Sequence, residues 1–305
     1  WGTAVAYKNT GLGGGAPDKA TAIVEAWQDE VRGRVAEVRI SSAEMGQGLP
    51  GVLAACAAEE LGTIGENVSV LLGDTDVCPD GGPTTASRQT FVSGNAVRHA
   101  AAEAARQLAE VPDKTALVRY EYEAPKTQPL GTGGDMHVAF SYCAQAALCE
   151  IDMRTGEVSV HKVVAAHDVG RAINPLTLEG QIEGGIVMGI GFTLTEHFIQ
   201  EDGKPWTHVM ARYKTPSIEH APAITSFIVE DAVEAGPFGA KGVGELPSIP
   251  VSAAITNAIQ RGTGIRVRSL PVDQDELLRA IERSADELEL AWGDREPIPD
   301  IGGDA

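Results

Sequence analysis

A single carboxylate, Glu245, lies between a glycine-rich loop and a predicted helix. The loop contributes Gly236, Gly239, Gly242 and Gly244. Glycine lets the backbone approach a ligand closely, and the start of a helix presents unpaired N–H groups to electron-rich atoms. The pattern predicts a carboxylate at the edge of a pocket, where it could act as a general base. Taken alone, it is better explained as a carboxylate that a helix dipole stabilises by about 0.3–1 kcal/mol.

Two earlier segments have the composition of ligand-binding loops. Ser41–Gly48 joins a predicted strand to an alanine-rich helix predicted at Gly51–Leu61, and the N–H groups of such a turn can bind an anion. Ala86–Thr90 places hydroxyl and amide side chains before a helix predicted at Ala96–Glu110. Helix capping is the simpler explanation for the second segment, and many turns resemble the first without binding a ligand.

A predicted helix at Gln181–Thr195 contains four glycines, at 184, 185, 189 and 191. Each interior glycine costs a helix about 1 kcal/mol relative to alanine. Close packing against another backbone, or a ligand lying on the helix, has to compensate. Packing is the default explanation, and Gln181 at the start of the helix is the residue that would face a ligand.

Four segments of the chain, taken in order, resemble the molybdenum-binding subunit of the xanthine dehydrogenase / aldehyde oxidase family. The match runs from about Gly2 to Ala280 and corresponds to the C-terminal half of that subunit, its second molybdopterin-binding region. The segments are Glu44–Gly48; Ala86–Gln89 with Ser93–Ala96; Asp168–Gly170 with Asn174, Pro175, Gln181, Gly184 and Gly185; and Gly239–Glu245.

The resemblance implies a cofactor site built from these loops. Glu245 would be the catalytic base, and Gln181 would lie near the metal, which the pterin dithiolene holds without a direct protein ligand. The implied contacts to the pterin or its nucleotide extension are Met45, Gly46 and Gln47; to the phosphate and terminal group, Ala86, Ser87, Arg88 and Gln89; along the pterin, Lys241, Gly242, Val243 and Gly244.

The implied activity is hydroxylation of an N-heterocycle such as xanthine or hypoxanthine, with oxygen derived from water. An aldehyde or a nicotinate-type substrate stays open, as does the choice between molybdopterin and molybdopterin cytosine dinucleotide. The four cysteines, at 56, 78, 143 and 149, match no iron–sulfur motif. We therefore expect the 2Fe–2S clusters and FAD on partner chains or domains. A non-catalytic alternative is a structural half that binds no cofactor until its partner half joins it.

The preceding half of the molybdenum subunit is the first expected partner, since none of its substrate-facing residues can be located here. The chain would then be a fragment or one product of a split subunit, inactive alone. A net charge of −19 argues against a nucleic-acid or anionic-membrane partner. No apolar run approaches the roughly 20 residues that span a bilayer, and no signal peptide pattern is visible, which predicts a cytoplasmic protein.

The predicted fold is α+β, a mixed α/β arrangement with two α/β subdomains. Periodicity is lost and prolines and glycines accumulate between 111 and 135, which divides the chain into subdomains at 1–134 and 135–285 and an acidic tail at 286–305. Further helices are predicted at Ser248–Arg261 and Asp273–Ser284. Strands are predicted at Thr3–Tyr7, Ala20–Gln28, Arg34–Ser41, Val68–Gly73, His137–Ile151, Glu157–Val169, Glu196–Ile199, Ser226–Glu230 and Ile265–Ser269.

Overall fold

A computed structural model describes residues 1–292, with side chains as far as Ser284. The predicted mixed α/β class is confirmed. The strands are β1 Gly2–Thr10, β2 Lys19–Asp29, β3 Gly33–Ile40, β4 Val68–Leu72, β5 Ala116–Glu123, β6 Ala139–Ile151, β7 Val158–Asp168, β8 Gln200–Glu201, β9 Lys204–Pro205 and β10 Ala223–Val229. The helices are α1 Leu49–Leu61, α2 Gly94–Glu110, α3 Pro175–Leu194, α4 Met210–Tyr213, α5 Val251–Thr263 and α6 Gln274–Trp292.

The first sheet has the strand order β4-β3-β2-β5, and helices α1 and α2 pack against it. Helix α2 buries Ala96, Ala100 and Ala104, which are four residues apart and so lie on one helix face. Small side chains on this face let the helix approach strand β2 closely, where Val24 is fully buried.

The second sheet has the order β1-β6-β7-β10. Its inner face packs against α5, and α3 packs beside α5. Isoleucines at Ile182, Ile186, Ile255 and Ile259 form the centre of this core and are all fully buried. No helix among residues 1–292 combines the length and the apolar character that a bilayer crossing requires.

Strand β1 belongs to the second sheet, although it opens the chain. It pairs antiparallel with β6, with Tyr7 opposite Tyr142, so the chain enters the second sheet before it builds the first. The division at residue 134 stays a prediction. The predicted acidic tail begins within α6, and its residues 293–305 lie outside the described part of the chain.

Three local predictions are wrong. Strand β5 lies in the segment where a loss of periodicity was predicted. The strand is not visible in the sequence because Leu117 and Tyr120 are apolar but exposed, which hides the alternation of buried and exposed residues. No strand forms at Glu196–Ile199 or at Ile265–Ser269. Ile265 and Val267 do alternate with arginines, but a strand also needs a neighbour that takes its backbone hydrogen bonds, and none lies beside this segment in the described structure.

Candidate active site

Eleven of the thirteen predicted site residues line one cavity of about 350 Å³, within the size range of small-molecule sites. Lys241 lines a smaller adjoining cavity of about 70 Å³, which shares Gln47, Gln181 and Val243 with the first. Gly46 lines neither and is exposed. The eleven are Met45, Gln47, Ala86, Ser87, Arg88, Gln89, Gln181, Gly242, Val243, Gly244 and Glu245. The structure thus brings together loops that are far apart in the chain.

Arg88 anchors the loop of residues 84–89 but turns its guanidinium away from the cavity. Its side chain is 1% exposed and forms an ion pair with Asp18, with Nε 2.7 Å from Oδ1. The two terminal nitrogens donate to the carbonyl oxygens of Lys19, Gly81 and Pro83 at 2.7, 2.8 and 3.0 Å. Because its N–H donors are engaged by these acceptors, the guanidinium is not presented to a phosphate, contrary to what the residue type alone suggests.

Gln89 is likewise held inside the protein. Its Nε2 donates to Thr84 Oγ1 at 2.9 Å, and its Oε1 accepts from the hydroxyls of Ser42 and Ser93. The sequence singled out Ala86–Gln89 as one segment. In the structure, the side chains of Arg88 and Gln89 shape the loop, and Ala86 and Ser87 lie at the cavity.

Ala86 and Ser87 both adopt a φ of 50°, a conformation that costs a residue with a side chain free energy and often marks a functional site. Their backbone lies directly against the glycine-rich loop. A Cβ placed on Gly242 would fall 1.9 Å from Ser87 O. Glycine at 242 is therefore required for the two loops to touch.

The Glu44–Leu49 turn satisfies its own backbone. Glu44 accepts hydrogen bonds from the N–H groups of Gly46, Gly48 and Leu49 at 2.6, 3.0 and 2.6 Å. The amide of Gln47 bridges the same turn, since it accepts from Met45 N and donates to Ala43 O. The anion position predicted at this strand-to-helix turn is thus filled by the carboxylate of Glu44.

Lys241 is buried beneath the glycine-rich loop. Its Nζ lies 2.7 Å from Asp168 Oδ2, and these side chains are 6% and 10% exposed. Its backbone N–H donates to Val169 O at 2.9 Å. A buried charge pair of this kind fixes the path of the loop, because losing the lysine would leave the Asp168 carboxylate buried without its cation.

Glu245 stands at the edge of the cavity, immediately before a short 3-10 turn at Leu246–Ser248 that leads into α5. Its Oε2 accepts from Ser87 Oγ at 2.9 Å and lies 3.1 Å from Lys8 Nζ. Its backbone N–H donates back to Ser87 Oγ at 3.2 Å. Half of the side chain is exposed, and within the described residues Oε1 accepts no hydrogen bond. One oxygen is anchored and the other is available.

Gln181 lies two turns into α3, which begins at Pro175 under an Asn174 cap rather than at Gln181. Gln181 lines both cavities, and its side-chain amide makes no hydrogen bond to another residue in the described structure. Two interior glycines of α3 allow close packing, because a Cβ on Gly185 or Gly189 would fall 2.7 Å from Pro247 or 2.6 Å from Val251. A Cβ on Gly184 would meet nothing within 4 Å, so packing does not account for that glycine.

Four residues of the site were missed at the sequence level: Lys8, Ser141, Gln145 and His167. Ser141 and Gln145 are buried on β6 and bond to carbonyl oxygens of the glycine-rich loop and of the turn that follows it. His167 is fully buried on β7, and burial lowers its pKa to about 4. No sequence motif marks them, because each reaches the site only through sheet pairing.

A family model for the molybdopterin cofactor-binding domain matches residues 1–126 and 112–222. This chain belongs to that family. Two relatives and one solved structure extend the assignment to molybdenum hydroxylases of the xanthine dehydrogenase / aldehyde oxidoreductase kind.

Subunit gamma of the 6-hydroxypseudooxynicotine dehydrogenase complex of Paenarthrobacter nicotinovorans is 34% identical over 284 residues, which are 80% of this chain and 36% of the relative. A probable xanthine dehydrogenase subunit of Bacillus subtilis is 30% identical over 275 residues, 79% of this chain and 37% of the relative. The crystal structure of the aldehyde oxidoreductase of Desulfovibrio desulfuricans superposes with a TM-score of 0.80 and 30% identity, over 92% of this chain and 32% of that one. The chain thus spans about a third of the length of each of these proteins.

The cavity lining of this family member fits an oxygen-rich, anionic cofactor. Within the described residues, the backbone N–H groups of Ala86, Ser87, Val243 and Gly244 donate to no protein acceptor. Backbone donors converging on one cavity suit phosphate and pterin oxygens. Because the Arg88 guanidinium and the Ser87 hydroxyl are engaged elsewhere, the anion contacts of this loop would come from its backbone N–H groups.

Proposed function

We propose that this chain forms the Glu245 side of a molybdenum hydroxylase active site. The observation that carries the proposal is the state of the Glu245 carboxylate: Oε2 is held by Ser87 and Lys8, while Oε1 is available at the cavity edge. A fixed carboxylate with one accessible oxygen has the geometry of a general base that accepts a proton within hydrogen-bond reach.

The molybdopterin cofactor would lie between the loops that line the two cavities. Ala86, Ser87, Val243 and Gly244 would hold it through backbone N–H groups, and the amide of Gln181 would contact it from α3. When bound, the cofactor would supply the oxygen that is transferred and accept the two electrons that leave the substrate. Whether it is plain molybdopterin or the cytosine dinucleotide is a separate question, which nucleotide analysis of the released cofactor answers.

We further propose an N-heterocycle such as xanthine or hypoxanthine as the substrate class. One relative carries the name of a probable xanthine dehydrogenase subunit, which supports this choice. The structural match to an aldehyde oxidoreductase supports an aldehyde as the alternative, and a nicotinate-type substrate is the third class to test. The substrate-facing walls of the pocket lie outside this chain in the proposal, so its residues do not decide among the three.

Partner chains complete the proposed enzyme. Met45 is 72% exposed and Glu245 is half exposed, so one side of the cavity is open. The preceding half of the molybdenum subunit would cover it, and chains carrying 2Fe–2S clusters and FAD would take the electrons. On this proposal the isolated chain is inactive. The competing proposal is a structural half that binds no cofactor by itself.

Metal and pterin analysis of the purified chain, alone and in its full complex, separates these two proposals. We expect molybdenum and pterin in the full complex. A full complex that contains no molybdenum would contradict the enzyme proposal. Steady-state assays of the complex with xanthine, hypoxanthine, an aldehyde and nicotinate would identify the substrate class.

The Glu245→Gln variant tests the base directly. Removing a general base lowers kcat by roughly 10²–10⁴-fold, and we expect that loss with molybdenum content unchanged. Glu234→Gln is the matched control, since Glu234 is an exposed carboxylate in the segment just before the same loop. A Glu245→Gln complex with full metal content and near-normal turnover would overturn the assignment.

A further inference from the structure

Two buried side chains of β6 bond to the backbone on both sides of Glu245. Ser141 Oγ donates to Gly242 O at 2.7 Å, and Gln145 Nε2 donates to Pro247 O at 2.8 Å. Their exposed fractions are 0% and 2%, so water does not compete for these carbonyl groups. Residues 241–247, named here the glutamate loop, are therefore held from below by one strand.

The spacing along β6 explains how a single strand reaches both ends of the glutamate loop. Ser141, Cys143 and Gln145 alternate along the strand and so point to the same face. Cys143 Sγ lies 3.9 Å from Leu246 O, between the two stronger contacts. A shift of one residue in strand register would move all three side chains to the opposite face.

Strand β1 completes the support at Gly242. Thr10 Oγ1 accepts the Gly242 N–H at 2.9 Å, so the N–H and the carbonyl of this residue are both held by neighbouring strands. Lys8, whose Nζ lies 3.1 Å from Glu245 Oε2, is opposite Ser141 in the β1–β6 register. The strand pair thus contacts the carboxylate itself as well as the backbone around it.

We propose that Ser141 and Gln145 are positioning residues, which fix Glu245 over the cavity by holding Gly242 before it and Pro247 after it. This inference rests on the proposed function. Catalytic groups have to be held to within roughly 0.5 Å of their productive position, and rigid strands do this better than loops. A misplacement of about 1 Å can lower the rate about 10²-fold.

His167, a neighbour of Gln145, helps to fix the direction of the Gln145 side-chain amide. Gln145 Nε2 also lies 3.5 Å from His167 Nε2. Since Nε2 of the glutamine is a donor toward Pro247, His167 Nε2 has to be the acceptor, which requires the neutral ring. Burial, which lowers the pKa of His167 to about 4, keeps the ring neutral and so keeps Gln145 oriented toward the loop.

The test compares Ser141→Ala, Ser141→Cys and Gln145→Met with wild type in the metal-loaded complex. Cysteine keeps the shape of serine with a weaker donor, and methionine approximates the volume of glutamine without its amide. Tyr142→Phe is the matched control, because Tyr142 is the neighbouring β6 residue on the exposed face. The readouts are amide hydrogen exchange at residues 243–249, exchange in α2 as a measure of the global fold, and kcat and KM with their pH dependence.

We expect exchange at 243–249 to rise about tenfold in Ser141→Ala and Gln145→Met, the factor that corresponds to about 1.4 kcal/mol and to one buried hydrogen bond. Exchange in α2 should stay unchanged. We expect kcat to fall about ten- to a hundredfold, with KM and the pH profile preserved, because no charge is altered. Ser141→Cys should fall between wild type and Ser141→Ala.

Unchanged exchange at 243–249 overturns the inference, as does an equal rise in α2, which would show a loss of global stability only. A rise in loop exchange with kcat at the level of Tyr142→Phe overturns it too. Should Ser141→Ala fail to fold, Gln145→Met carries the same measurement from the other end of the loop. Hydrogen exchange is measured without turnover, so it tests the support of the loop independently of the proposed function. A fully active Glu245→Gln complex would contradict the proposed function but would leave the exchange result standing.

Discussion

Two of the four motif segments, the Glu44–Leu49 turn and the glutamate loop, are held in opposite ways. In the Glu44–Leu49 turn, each partner that hydrogen-bonds with the Glu44 or Gln47 side chain lies within five positions in the sequence. In the glutamate loop, the partners Ser87, Ser141 and Thr10 lie 158, 101 and 232 residues away from the residues they contact.

The comparison shows how each loop depends on the rest of the fold. A turn that satisfies its own amides can form wherever its own segment is ordered, and water can replace any bond it loses. The glutamate loop takes its shape only when both β1 and β6 are in place and residues 84–89 lie against Gly242. Its geometry therefore reports on the assembled fold, and damage beneath it should reach Glu245.

Lys241→Met should give the largest effect. It leaves Asp168 buried without its cation, and breaking a buried ion pair costs about 3–5 kcal/mol. Urea unfolding of the purified chain would measure the loss. Lys204→Met, at an exposed hairpin position, is the control and should be nearly neutral. A Lys241→Met loss no larger than that of the control would contradict the buried pair.

Acid should weaken the support beneath the glutamate loop through His167. Burial lowers the pKa of His167 from 6.5 to about 4, so between these values the unfolded chain binds a proton that the folded chain does not. Stability then falls as the pH drops from 6.5 toward 4, by about 3 kcal/mol in total from this residue. Below about pH 4 both states are protonated and this contribution stops changing.

Urea unfolding at several pH values would test the role of His167. His167→Phe should flatten the difference between pH 6.5 and pH 4 relative to wild type. His161→Gln, at an exposed position on the same strand, should leave that pH dependence close to wild type. An unchanged slope in His167→Phe would assign the acid sensitivity to other groups.

Gly242→Ala and Gly244→Ala form a matched pair within the glutamate loop. A Cβ at Gly242 would fall 1.9 Å from Ser87 O, whereas one at Gly244 would meet only Ser87 Oγ at 3.6 Å. We expect Gly242→Ala to cost about 1–3 kcal/mol, as overpacking does, and to lower cofactor loading. Gly244→Ala should stay within about 0.5 kcal/mol. Thermal unfolding and molybdenum content would be measured together, and equal behaviour of the two variants would show that the loops are not in tight contact.

Glu44→Ala should give the smallest effect, because its turn is exposed and water replaces the lost acceptor. We expect about 1 kcal/mol, similar to the loss of a helix N-cap, with faster hydrogen exchange confined to the first turn of α1. Exchange at the glutamate loop should not change. Spread of the effect to residues 243–249 would show that the two loops are coupled.

Local motifs were predictable because their partners lie close in sequence. The alternation of β6 and β7, the helical spacing of α2 and α5, and the glycine run before Glu245 can each be seen within about fifteen residues. Strand β5 was missed because exposed Leu117 and Tyr120 obscure its period. Ile265–Ser269 was predicted as a strand because alternation does not reveal whether a neighbouring strand exists.

The sequence by itself thus determined which segments form the cavity loops and that Glu245 is the carboxylate beside them. Only the tertiary structure decided what each does: Arg88 turns inward to Asp18, Glu44 closes its own turn, and Ser87 and Lys8 hold Glu245. The reason is physical. Hydrogen bonds and ion pairs depend on distance and burial. Ser87 lies 158 residues from Glu245 and Asp18 lies 70 residues from Arg88, and no local pattern predicts contacts across such separations.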